Sequence, residues 1–155
     1  MRCKVFVAAL VLIALPALSP RPARASGFDD KVYDQQTIDA LTAKANQAQP
    51  REQCFLYAEL VHQMTELSLR QYAAGNVPRA TDLLKQIQQL AHKIHLSVAD
   101  DDKRLKNAEI LLRHTAFRLT EMLHSSSFED RPLVQQALAE VSQAQNEAMM
   151  QVFRK

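Results

Sequence analysis

Two glycines, no tryptophan and two cysteines are all that 155 residues contain of those types, and each scarcity removes a class of protein. Without glycine clusters there is no phosphate-cradling loop, and no G-x-S-x-G turn presents a nucleophilic serine. The lack of tryptophan, with only three tyrosines, leaves few aromatic faces for stacking bases. No basic stripe supplies the electrostatic footprint of a nucleic-acid binder. β-Branched residues are sparse as well, whereas Ala, Leu, Gln, Glu and Lys abound. These are strong helix formers, and the composition predicts helix throughout.

The first 25 residues form a separate case. Arg2 and Lys4 precede the apolar run Val5 to Leu15, Pro16 breaks it, and Ala23-Arg24-Ala25 supplies small residues at a cleavage position. These are the three parts of a secretory signal in order. The run is too short for a membrane span, which takes about 20 apolar residues. Cys3 lies before the run, so it is no lipoprotein anchor. The expected organisation is a signal peptide at 1–25, a short tail at 26–33 and one helical domain at 34–155. Export to the periplasm or the exterior follows, with no stable membrane insertion after cleavage.

Removing the signal changes the charge. The whole chain is formally +2; loss of Arg2, Lys4, Arg21 and Arg24 leaves 15 basic against 17 acidic residues, a balance of −2. Basicity therefore belongs to targeting, not to a polyanionic partner. Cys54 is then the single cysteine, which forbids an intramolecular disulfide. In an oxidising compartment it is either buried or paired with another chain, and burial is the commoner fate of a free cysteine.

Periodicity places five helices. The first runs from about Asp34 to Gln49, with Ile38, Leu41, Ala45 and Ala48 in register and Pro50 ending it. The second begins at Pro50, a residue suited to a first turn, and ends with Gly75 as its cap. The third carries the stripe Ala80, Leu83, Leu84, Ile87, Leu90, Ala91, Ile94 and Val98. Asp100-Asp101-Asp102 opens the fourth as acids favoured by the helix dipole; they lack the alternate spacing and glycine of a calcium loop. Its stripe is Leu105, Ala108, Leu112, Ala116, Leu119 and Leu123. Asp130 and Pro132 start the fifth, lined by Val134, Leu138, Val141, Ala148 and Val152.

The connection LRQYAAGNVPRATDLLKQI, Leu69 to Ile87, resembles the hairpin of a tetratricopeptide repeat: Tyr72 is large, Gly75 lies in the turn, Ala80 is small, and Leu84 and Ile87 follow as core positions. The resemblance covers one hairpin and has no second copy in the chain. AQPREQCFLYAELVH (Ala48 to His62) and KRLKNAEILLRHTAFRL (Lys103 to Leu119) resemble small exported bacterial helical proteins of unassigned activity, which bring no catalytic residues to carry over. The expected fold is all-α, an antiparallel bundle of four to five helices with a tetratricopeptide-like hairpin.

Two stretches hint at chemistry. ELVH (Glu59 to His62) and EMLH (Glu121 to His124) share the Glu-x-x-His spacing with which helical bundles hold two metal ions. On a wheel of about 100° per residue, Glu59 and His62 fall on the charged face with Glu66 and Arg70, away from the apolar side centred on Leu60, Val61 and Met64. Glu121 and His124 likewise face away from the main stripe of their helix. Glu59, His62, Glu121 and His124 therefore stand as an alternative, a di-metal bundle, while the main reading implies no cofactor. His92 and His95 are read as boundary residues, since a pair needs a third ligand. Met149 and Met150 are read as flexible core filling.

Ile110 and Phe117 share a second side of the fourth helix with His114. Coverage by the first or fifth helix is the expectation, and an interface is the alternative. The functional expectation is a non-catalytic module of the cell envelope that binds a protein or peptide, with a homodimer among the options and no nucleic acid as partner.

Overall fold

A computed structural model describes residues 33–96 and 102–153. The signal peptide, nearly all of the expected tail, Val98, Asp100 and Asp101 lie outside the described residues. Among the described residues five helices form: α1 (Gln35–Gln47), α2 (Pro50–Ala73), α3 (Val77–Leu96), α4 (Asp102–Ser125) and α5 (Arg131–Phe153). The protein is an all-α bundle, and the helix boundaries lie close to those that the caps imply.

The ends explain the boundaries. Asp34 caps α1 by accepting from the backbone N–H of Thr37 at 2.8 Å and from its hydroxyl at 2.7 Å, bonds that lower the carboxyl below its ordinary pKa. Such a cap satisfies one of the N–H groups that a helix start leaves without a partner. Pro50 occupies the first turn of α2, where its missing N–H costs nothing. At the other end Gly75 adopts φ +80°. Its N–H bonds the carbonyl of Tyr72 at 3.0 Å, and that of Asn76 reaches Gln71 at 2.8 Å, the pair of bonds of a Schellman motif. The chain thereby reverses within three residues, and Asn76 accepts from Ala80 to begin α3.

Four helices make a square in which α2 packs on α3 and α4, and α5 packs on the same two neighbours; α1 packs chiefly on α2 and is tied to α3 by Arg79, which donates to Gln35. Among the described residues α3 and α4, consecutive in sequence, make no close backbone approach and so sit diagonally across the core. The pairs Glu52–Arg104, His62–Thr115 and Glu66–Arg118 advance in step along α2 and α4, which makes these two helices parallel. Successive helices are antiparallel as expected; the α2–α4 contact is a parallel one between two hairpins.

The core lies inside the square. From α4 come Leu105, Ala108, Leu112, Thr115, Leu119 and Met122, all buried and spaced alternately three and four apart, the seam of a packed bundle. They meet Leu60, Val61 and Met64 of α2, Leu83, Ile87 and Ile94 of α3, and Val134, Val141 and Ala148 of α5 in one cluster. Cys54 is buried in that cluster too, the commoner of the two fates expected for it. Met149 and Met150 are exposed, correcting their reading as core filling: the buried positions near the end of α5 are Ala144 and Ala148, and the methionines fall off that side.

Candidate functional site

The groove between α2 and α4 holds a row of polar pairs. Glu66 receives Arg118 in a two-pronged pair, Nε to Oε1 at 2.7 Å and Nη2 to Oε2 at 3.0 Å. Arg118 also donates to Glu121, one turn on in its own helix. Bonding to Glu66, with Glu121 adding, pushes the guanidinium pKa further up. Lower down, Arg104 meets Glu52 at 2.7 Å in a more exposed pair.

His62 lies between these pairs, half-buried. Its Nδ1 is 3.2 Å from the hydroxyl of Thr115, and that hydroxyl donates its one hydrogen to the carbonyl of Leu111 at 2.7 Å. Thr115 can then only accept from His62, so in the neutral ring Nδ1 carries the proton and Nε2 the lone pair. The ring also stands edge-on to His114, with centroids 5.2 Å apart, and to Tyr33 at 6.2 Å. One ligating atom each from His62, Glu66 and His114 lie within 4.8 Å of one another.

This arrangement corrects one sequence reading and bears on the di-metal alternative. His62 and Glu66 do not point into solvent; α4 packs over the polar side of α2, because α2 has three helical neighbours and not one. Nor do the four residues Glu59, His62, Glu121 and His124 converge. Glu59 accepts from Gln63 at 3.4 Å, Glu121 is bound to Arg118, and His124 is exposed in the last turn of α4. His62 alone belongs to the cluster that the structure assembles. The signal for the others was the four-residue step from His62 to Glu66, which puts both on one side of α2; His114 could be found only by knowing that α4 runs parallel to α2. His92 is exposed on α3.

The outer side of α4 supplies a second feature. Ile110 is 51% exposed and Phe117 60%, so neither α1 nor α5 covers them. The reason is the topology: α1 packs on α2, and α5 takes the inner side of α4. Lys106, Arg113, His114, Glu121 and His124 are exposed along the same stripe.

Beyond these, a groove of about 210 Å³ opens between α1, α2 and α3, with Ile38, Leu60 and Met64 at its base and Gln35, Gln86 and Gln89 at its rim. No helix among the described residues is long and apolar enough to cross a membrane. No protein-family model, no curated protein and no solved structure matches the chain.

Proposed function

We propose that the protein is an exported, non-catalytic interaction module that docks a helix on the outer side of α4. The observation that carries this reading is the exposure of Ile110 and Phe117, large apolar side chains seven residues apart on a helix whose opposite side is sealed in the core. An amphipathic helix laid along such a stripe buries both. Export is supported by the basic, apolar and small-residue segments of residues 1–25.

The helix that fits this stripe is α4 of a second copy. Laid antiparallel about a two-fold axis near Arg113 and His114, Ile110 meets the partner's Phe117 and Lys106 meets the partner's Glu121, and each contact occurs twice. Apolar residues match apolar ones and base matches acid without any change of sequence. Sedimentation equilibrium of the purified chain tests the reading: a dimer that dissociates in Phe117→Ala and in Lys106→Glu, and re-forms when Lys106→Glu is combined with Glu121→Lys, is the expected result. A monomer at all concentrations excludes self-docking. A monomer that captures a foreign amphipathic peptide, dependent on Phe117, keeps the docking face and replaces its occupant.

A further inference from the structure

We propose that His62, Glu66 and His114 form a binding site for a zinc-like divalent transition metal, which ties α2 to α4. Two imidazoles and one carboxylate are the donor set of a three-ligand zinc site whose fourth position stays open. The three ligating atoms come from two helices and already lie within 4.8 Å of one another. Donors bound tetrahedrally at about 2.0 to 2.1 Å lie about 3.3 Å apart, so closure takes a modest turn of the side chains. His114 is exposed and has room to make it.

The surroundings of His62 point the same way. A metal-binding histidine generally gives its other N–H to an oxygen, which fixes the ring and leaves the ligating nitrogen bare. Thr115 does this for His62: its own hydrogen is committed to Leu111 at 2.7 Å, so it accepts from Nδ1 at 3.2 Å. Thr115 is fully buried, so the support is rigid. Glu66 is engaged by Arg118 through both oxygens, yet a carboxylate offers about four lone-pair sites and Arg118 uses two. The guanidinium therefore acts as a competitor, weakening the site by its positive charge without blocking it.

The site does not depend on the docking reading, because it is complete within one chain. Its test is calorimetric titration of the tag-free, full-length protein with Zn²⁺ alone, together with the visible spectrum of the Co²⁺ form. Binding of one ion per chain is expected, with a rise in Tm. His62→Ala, His114→Ala and Glu66→Gln should each weaken binding at least tenfold, Arg118→Gln should tighten it severalfold, and His92→Ala and His124→Ala should leave it unchanged. His114 is exposed, so its variant keeps the fold and isolates the loss of a ligand. Absence of Zn²⁺ binding at 100-micromolar concentrations (on the order of the weakest useful site), one ion per two chains, or affinity that survives both His62→Ala and His114→Ala would overturn the assignment.

Discussion

Tyr72, in the last turn of α2, donates its phenolic hydrogen to a carboxylate oxygen of Asp130 at 3.0 Å, across 58 positions of sequence. The same oxygen atom of Tyr72 accepts from the backbone N–H of Ser127 at 2.8 Å, while Ser127 Oγ donates to Asp130 at 2.7 Å. One hydroxyl thus joins the α2–α3 turn to the α4–α5 turn and holds the two hairpins in parallel register.

Loss of that hydroxyl removes both cross-hairpin bonds but leaves the ring and the Ser127–Asp130 bond in place. Tyr72→Phe should therefore lower stability by about 1 to 2 kcal/mol, as a hydrogen bond to a charged acceptor implies. Urea denaturation measures it. An unchanged midpoint would mean that helix packing alone sets the register.

Gly75 gives a cleaner test of local conformation. A Cβ there would meet nothing within 4 Å, so Gly75→Ala costs only the strain of a side chain at φ +80°, about 1 to 2 kcal/mol. Gly75→Asn should cost less, because Asn tolerates the left-handed region. Equal losses for the two variants would point to packing and not to backbone strain.

The helices were legible because their signals are local. Asp34, Gly75 and Asp130 mark ends through bonds to residues about one turn away and Pro50 through its missing N–H, and a sequence displays those neighbours directly. The surroundings of His62 were not legible by the same means. A helical wheel locates the most apolar direction of one helix and assigns the rest to solvent, an assumption that fails for α2, which touches α1, α3 and α4. Its polar stripe became an interface built from Glu52, His62 and Glu66 against Arg104, Thr115 and Arg118. The twin Glu-x-x-His pattern was visible, but the structure uses only His62 from it, with partners set by a parallel helix contact 52 or so positions away. The two-sided character of α4 was visible too, although its cover was not: which helix lies over Ile110 depends on topology, and among the described residues none does.

Cys54 leads to a prediction about pH. Its thiol is buried, and desolvation raises its pKa from 9.0 to about 11. The unfolded chain then loses the thiol proton first as pH rises, so this group's contribution to stability is intact below pH 9.0 and declines up to about pH 11. Cys54→Ala should flatten that part of the alkaline stability profile relative to the parent chain. An aromatic disulfide reagent at pH 8 should label the native protein only at the rate of unfolding, since thiolate is scarce and access is closed. Rapid stoichiometric labelling of native protein would show that Cys54 is open to solvent.

Phe117 separates a structural role from a docking role in one variant. A buried phenyl ring typically costs about 3 to 5 kcal/mol when cut back to alanine, but Phe117 is 60% exposed and lies opposite the Leu112, Thr115 and Leu119 seam. Phe117→Ala should therefore change monomer stability by less than about 0.5 kcal/mol, the range of ordinary surface substitutions. Leu112→Ala, on the sealed side of the same helix, should cost about 2 to 5 kcal/mol. Helix propensity does not produce the contrast, since alanine is at least as good a helix former as either residue it replaces. If the outer stripe docks a second α4, Phe117→Ala also weakens self-association while Leu112→Ala weakens it only through loss of fold. Denaturation at low protein concentration, where a dimer contributes least, gives the first quantity, and its concentration dependence gives the second. A large loss of monomer stability in Phe117→Ala would place the ring in the core and remove the docking face.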